Sequence, residues 1–397
     1  MKKHILVVSQ YFYPEQFRIN DMAAEWVKRG YEVTVLTGIP NYPRGKFYDG
    51  YGWFKKRKEI YNGVKVIRIP LFARGSSSIG MVLNYLSFVF FGAFWKTFTR
   101  QKADCVFNFE VSPMTQALVG VWFAKRRKIP CYIYVQDLWP ENVEIVTGIK
   151  SKAVITPLSK MVNYIYKNCD KIFATSPSFV ENIRERVEDK EKVVYWPQYA
   201  EDFYCATDKK SELIVDDGAL NITFTGNIGT AQGLEILPQT AKLLRGRGLR
   251  VRFNIVGEGR NKENLLKQIK EADVEDSFNM IGWQAPENIP SILAASDAAF
   301  LSFADNPLYS MTIPAKLQSY MACSIPVIAS ASGETERIIN DSGCGFCAKI
   351  GDAEALANSI EIFAQSDRAK MAEASGKYFK EHFTKEMLMN EIEEYIF

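Results

Sequence analysis

The sequence holds only two histidines, His4 and His382, near opposite ends of its 397 residues. That scarcity excludes chemistry needing a mid-chain imidazole: a Ser-His-Asp hydrolase, a His-rich zinc site or a helical H-E-x-x-H protease. There is no G-x-x-x-x-G-K-S/T loop, which argues against a P-loop nucleotidase, and no G-x-G-x-x-G after the first apolar run, so the dinucleotide fingerprint is missing. Asp-x-Asp is absent too, and with it the simplest carboxylate pair for a metal-bound diphosphate. A ligand handled without metal or cofactor is the expectation. The seven cysteines form an odd set. Cys344 and Cys347 make a C-x-x-C without the second pair a zinc site needs, and read as a strand beside a turn. The apolar run 5–8 is too short for the core of a signal peptide, so a cytoplasmic chain with reduced thiols is expected.

Apolar residues make up 47% and charged residues 24%, the balance of a globular protein, and the length favours two or three domains. The net charge of +3 hides an asymmetry. Residues 1–199 carry 30 Lys and Arg against 17 Asp and Glu, whereas residues 200–397 carry 19 against 29. Either the basic half meets an anionic partner, or the halves attract each other.

Short apolar runs at 3–9, 32–36, 64–69, 105–108, 131–135 and 171–174 alternate with helical stretches, the first near 18–29. The pattern pauses over the polar stretch 196–218, then resumes with strands at 221–225, 251–256, 278–281, 298–301 and 327–329. Alternating strands and helices predict parallel, doubly wound sheets, here two Rossmann-like domains in tandem. The segment 375–396 reads as helical and acidic.

Residues 75–95 contain no charge, but their apolar part, 79–95, is short for a membrane span and is interrupted by Asn84 and Ser87. A buried helix, or one dipping into the bilayer interface, is expected there. Upstream, residues 44–74 carry nine Lys and Arg against two Asp and Glu, with Trp53 beside Lys55, Lys56, Arg57 and Lys58. Aromatics beside cations suit an anionic membrane surface, although a charge run is as readily a solvated face. No recognition motif points to nucleic acid.

Four glycine or loop regions follow strands of the second half: Gly226-Asn227-Ile228-Gly229, Gly257-Glu258-Gly259-Arg260, Gly282-Trp283, and Ser310-Met311-Thr312-Ile313-Pro314 leading to Lys316 and Gln318. Any one such turn serves close packing equally well. Together, at the carboxyl ends of strands in one sheet, they suit one anionic, nucleotide-like ligand. Pro314 is expected at the first helical position, and a helix is expected just beyond Gly229.

The order of these elements, with Lys316-Leu-Gln318-Ser-Tyr-Met-Ala-Cys-x-x-Pro-Val-Ile-Ala, resembles the donor domain of family-4 retaining glycosyltransferases of the GT-B fold. Ser9-Gln-Tyr-Phe-Tyr-Pro14-Glu15, Pro40-Asn41-Tyr42-Pro43 and Gln136-Asp137-Leu-Trp-Pro140-Glu141 resemble its surface-polysaccharide branch, nearest to N-acetylfucosamine transferases of O-antigen and capsule synthesis. The resemblance implies two Rossmann-like domains facing a cleft, with a last helix crossing back to the first domain. Residues 1–198 and 378–397 would bind acceptor and membrane, and residues 199–377 the donor.

Where the family carries Glu-x7-Glu this sequence has Ser310 and Gln318, the latter placed for the ribose hydroxyls. The diphosphate-binding Arg and Lys correspond to Asn227 and Gln232, both neutral. Lys316 or Arg260, with backbone amides at Gly229 and 310–313, is then left to meet the leaving diphosphate. The first-domain His corresponds to Gln136, which makes Asp137 the best-placed carboxylate and Glu110 the next; Asp137 also suits a turn or helix cap. The expected activity is metal-independent, retaining transfer from a UDP-sugar to a polyprenyl-diphosphate-linked acceptor. It would take place at the cytoplasmic face of the inner membrane, with the enzyme held peripherally. A UDP-sugar 2-epimerase of the same fold and a non-catalytic nucleotide-sugar-binding protein are the alternatives.

Overall fold

The structure is a computed structural model that describes residues 2–396. The chain forms two compact units, Met1–Trp196 with Glu394–Phe397, and Pro197–Glu393. The sequence reading starts the returning segment earlier, at residue 378.

In the first unit the elements are β1 (His4–Val8), α1 (Arg18–Lys28), β2 (Glu32–Thr37), β3 (Lys58–Tyr61), β4 (Val64–Arg68), α2 (Ser78–Phe98), β5 (Cys105–Glu110), α3 (Ala117–Arg127), β6 (Cys131–Val135), α4 (Glu141–Thr147), α5 (Lys152–Lys167), β7 (Lys171–Ala174), α6 (Pro177–Arg184) and β8 (Val193–Tyr195). Their sheet runs β3-β4-β2-β1-β5-β6-β7-β8 and is parallel except for the β3/β4 hairpin. Strands β1, β5 and β6 are near-continuous apolar runs because helices cover both faces of such a sheet. Sequence reading misses β3 and β8, one a charged edge strand of sequence Lys-Glu-Ile-Tyr and the other only three residues long. Strand order reverses at β1, whose neighbours are β2 and β5, and a crevice opens there at the carboxyl ends.

The second unit follows with β9 (Leu220–Thr225), α7 (Ile236–Gly246), β10 (Val251–Val256), α8 (Lys262–Glu271), β11 (Phe278–Gly282), α9 (Ile289–Ala294), β12 (Ala298–Ser302), α10 (Pro307–Ser310), α11 (Ala315–Ala322), β13 (Val327–Ser330), α12 (Glu334–Ser342), β14 (Gly345–Ala348), α13 (Ala353–Gln365), α14 (Arg368–His382) and α15 (Lys385–Ile396). Its sheet, β11-β10-β9-β12-β13-β14, is parallel throughout and reverses order at β9. Ile222, Phe224, Phe253, Ile255 and Phe300 fill its core.

Two local expectations need correction. The helix placed just beyond Gly229 starts at Ile236, because Gly233, at φ +58°, first closes a short 3-10 turn. Pro314 is extended (ψ 138°) and precedes the helix, whose first residue is Ala315. The acidic tail is two helices, since buried Phe383 leaves helical geometry between α14 and α15. Cys347 does lie in a strand, β14, and all seven thiols are free.

Helix α2 has inverted polarity. It buries its polar residues Asn84 and Ser87 with Phe88 and Gly92. Asn84 Nδ2 donates to the Phe72 carbonyl (2.6 Å) and its Oδ1 accepts from Gln10 Nε2 (2.7 Å), while Ser87 Oγ accepts from the Phe72 amide (3.0 Å). The apolar side chains face outward instead: Ile79, Leu83, Leu86, Phe90, Phe94 and Phe98 are all about half or more exposed. By length and composition α2 can cross a membrane.

Candidate functional site

Two sites form, each at the carboxyl ends of one sheet. In the second unit β9 runs out at Gly226, whose φ of +128° disfavours any side chain. A Cβ there would lie 2.7 Å from Lys316 Cε, and one at Gly257 would lie 1.9 Å from the Gly226 carbonyl. The Gly257 amide donates to Gly282 (2.8 Å), so the three glycine turns pack backbone to backbone as the sequence suggests. Helix α11 is pinned beside them by Tyr320, whose hydroxyl accepts from the Thr225 amide at 3.1 Å. This brings Lys316 under the Gly226 turn. Its Nζ donates to Gln232 Oε1 (2.5 Å) and lies 4.0 Å from the centre of the Phe224 ring, and burial pulls its pKa down to about 7. Gln232 thus holds a cation at a position where the sequence itself offers only a neutral amide.

The other donor-site candidates divide. Asn227 and Arg260 are exposed, and Trp283 is 68% exposed beside Gly282, all open to a ligand. The Gly229 amide has no acceptor among the described residues. The loop 310–313 does not offer a set of free amides, which corrects the sequence reading: Met311 N–H donates to Leu308 and Thr312 N–H to Tyr309, both at 3.2 Å. The Ser310 hydroxyl donates to the Pro307 carbonyl (2.6 Å), as expected of a residue closing the short helix α10, and Ile313 is buried. Gln318 is fully enclosed, and neither amide atom has a partner, so the ribose contact expected of it requires local opening. Leaving such a group unsatisfied costs on the order of 1–3 kcal/mol.

In the first unit Glu110 and Asp137 stand at the ends of adjacent strands β5 and β6. Asp137 Oδ2 accepts from the Ser112 amide (2.7 Å), and the Asp137 amide donates to Glu110 Oε2 (3.4 Å). Glu110 is completely buried with Oε1 unpartnered, and burial, with Asp137 next to it, raises its pKa well above the carboxylate range. Burial therefore favours the neutral form of Glu110. Gln136 joins the same turn through its amide, which donates to the Glu110 carbonyl at 2.8 Å. Asp137 also lines a cavity of about 550 Å³ whose wall includes Tyr11, Tyr42, Arg74 and α2.

The membrane candidates also divide. Lys55, Lys56 and Lys58 are exposed. Trp53 and Arg57, by contrast, are structural. The Trp53 indole donates to Leu71 (3.1 Å) and packs on Phe72 and Phe91, while Arg57 donates to the carbonyls of Trp53 (2.8 Å) and Arg68 (2.5 Å).

Residues 206–382 match the family described as glycosyl transferases group 1, and residues 16–198 match the glycosyl transferase 4-like domain. The protein is a glycosyltransferase, its second half matching group 1 and its first half the 4-like domain. It is 25% identical over 351 residues to an Escherichia coli (strain K12) protein named for colanic acid biosynthesis, covering 84% of each chain. Its fold is that of sucrose-phosphate synthase from Thermosynechococcus elongatus (TM-score 0.78, 15% identity, 99% and 98% of the two chains). Anabaena HepE in complex with UDP shares it (TM-score 0.70, 16% identity, 100% and 99%). Both have the GT-B arrangement of two Rossmann-like domains.

In this glycosyltransferase, sequence reasoning missed Arg74 and Tyr85 on the cavity wall. Arg74 shows in the sequence only as the charge that ends a basic stretch, and nothing there marks it as facing an apolar space.

Proposed function

We propose that the protein is a retaining glycosyltransferase that moves a sugar from a UDP-sugar to a polyprenyl-diphosphate-linked acceptor in surface-polysaccharide synthesis. The observation that carries the donor half of this reading is the Lys316 ammonium under the Gly226 turn, with Gly257 and Gly282 packed alongside. A cation beside a glycine-lined turn suits a departing diphosphate, and no bound metal is invoked. The complex of HepE with UDP supports a uridine nucleotide. Arg260, which is exposed, supplies a second charge. The motif resemblance favours N-acetylfucosamine as the sugar, and the colanic acid relative supports a polysaccharide product.

On the acceptor side Asp137 is the carboxylate available to the attacking hydroxyl. The inverted helix α2, with Lys55, Lys56 and Lys58, would hold the enzyme peripherally on the cytoplasmic leaflet, each cation near it contributing about 1 kcal/mol. With no obvious protein nucleophile in the expected place among the described residues, attack from the face the diphosphate leaves fits better than a double displacement.

The test is a thermal-shift titration with UDP, GDP and NAD, repeated on Lys316→Ala. UDP at 100 times its dissociation constant should stabilise by about 2.7 kcal/mol. The response should be specific to UDP and at least tenfold weaker in the variant. Absence of a UDP response, or one unchanged in Lys316→Ala, sinks the donor-site assignment.

A further inference from the structure

The cavity beside Asp137 has a chemistry of its own. Its volume, about 550 Å³, lies within the ~300–1,000 Å³ range of small-ligand sites. Its walls are mainly apolar, with Val82 and Leu86 from α2, Val143 from α4, and Val154 and Leu158 from α5. A free sugar, with a hydroxyl on almost every carbon, would leave most of its polar groups unmatched against that lining.

The rim repeats the pattern. Val82, Leu86 and Val154 are 49%, 55% and 40% exposed while also lining the cavity. The space therefore opens onto the outward apolar face of α2.

One cation faces this space. The Arg74 guanidinium lies 5.4 Å from the centre of the Tyr42 ring and 5.9 Å from that of Tyr85, and its Nη2 contacts Met81 Sδ at 3.3 Å. Among the described residues no carboxylate pairs with it. An arginine held by rings and a thioether, with most of its donors unused, is suited to bidentate contact with a phosphate. The same cavity thus offers a cation for a phosphate, a carboxylate near the sugar end and an apolar channel toward the exposed helix.

We infer that this cavity binds the lipid end of the acceptor, with Arg74 on a phosphate and the first isoprenoid units against Val143 and Leu158, the chain leaving past Val82 and Leu86. The inference rests on the lipid-linked acceptor of the proposed function and adds where and how that lipid is held.

The test uses the purified full chain and farnesyl diphosphate as probe, with farnesol, inorganic diphosphate and dodecyl diphosphate as controls, all by calorimetric titration. Farnesyl diphosphate should bind at least tenfold more tightly than each control, without being displaced by UDP. Arg74→Gln should weaken it at least tenfold and leave farnesol unchanged. Val143→Trp, which fills the cavity, should weaken both. UDP binding should be the same in both variants, which shows that they are folded.

Displacement by UDP would put the probe in the nucleotide site and overturn the inference. So would equal binding of dodecyl diphosphate, or affinities within twofold of the parent in both variants. Failure here is separable from failure of the proposed function. If UDP-dependent transfer to extracted lipid acceptor persists at full rate in Val143→Trp, the cavity assignment falls and the transferase stands. If farnesyl diphosphate binds as described but UDP does not bind, the reverse holds.

Discussion

Lys316 shows how a charge absent at one position is supplied from another. The residues corresponding to the usual diphosphate-binding pair are neutral Asn227 and Gln232, yet Gln232 Oε1 accepts from Lys316 Nζ and so fixes an ammonium beside the glycine turn. The resemblance implies that some other cation serves, but the choice between Lys316 and Arg260 depends on a side-chain path no spacing encodes. Burial has a measurable consequence. With its pKa pulled down to about 7, Lys316 is mostly neutral at pH 8, and a bound diphosphate favours the charged form. UDP binding at pH 8 should therefore take up close to one proton, read as a slope of binding enthalpy against buffer ionisation enthalpy. Lys316→Met should flatten that slope. Glu15 titrates in the opposite sense. Its Oε1 accepts from the amides of Asn41 (2.7 Å) and Tyr42 (2.6 Å), but burial still raises its pKa to about 7. A native pKa above the unfolded one means that the contribution is full below about pH 4.5 and is lost as pH rises through 7. Parent stability should fall relative to Glu15→Gln between pH 5 and 8, by up to about 3 kcal/mol at 1.36 kcal/mol per pH unit, as measured by urea denaturation across that range.

At the scale of elements, most parallel strands were legible because each is an apolar run between helices, whereas β3 is charged and β8 is an apolar run of only three residues. Helix α2 was half legible. Its hydropathy stands out, but Asn84 and Ser87 read as interruptions of an apolar segment, when they are the side the protein buries. Only their hydrogen-bond partners, Phe72 and Gln10, distant in sequence, reveal which face is outward. An exposed row containing Phe90, Phe94 and Phe98 is the kind of patch that marks an interaction surface. The double variant Phe90→Asp with Phe94→Asp should lose at least tenfold in binding to anionic vesicles in flotation assays, because burying each ring contributes about 1.5–3 kcal/mol. Its melting temperature should stay within about 2 °C of the parent, since neither ring packs in the core. Vesicle binding that survives the double change would remove α2 from the membrane contact and leave the exposed lysines to explain it.

At the scale of the whole molecule, the charge split is the feature read most directly: 30 basic against 17 acidic residues in 1–199, and 19 against 29 beyond. The structure divides the chain almost at the same place, after Trp196. Each unit has its own parallel sheet, and the core around Phe224, Phe253 and Phe300 belongs wholly to the second. A chain with two such cores is not expected to unfold in one all-or-none step. Calorimetry should therefore resolve two transitions. UDP, acting on the unit that contains Gly226 and Lys316, should raise only one of them. Stabilisation of about 2.7 kcal/mol corresponds to a shift of roughly 5–10 °C for a unit of this size. Farnesyl diphosphate should move the other transition, because its cavity is built entirely from the first unit. If both ligands shift the same transition, or only one transition is seen and both raise it equally, the assignment of donor and acceptor to separate units fails. That result would count against the division of labour even if each ligand binds with the affinity expected of it.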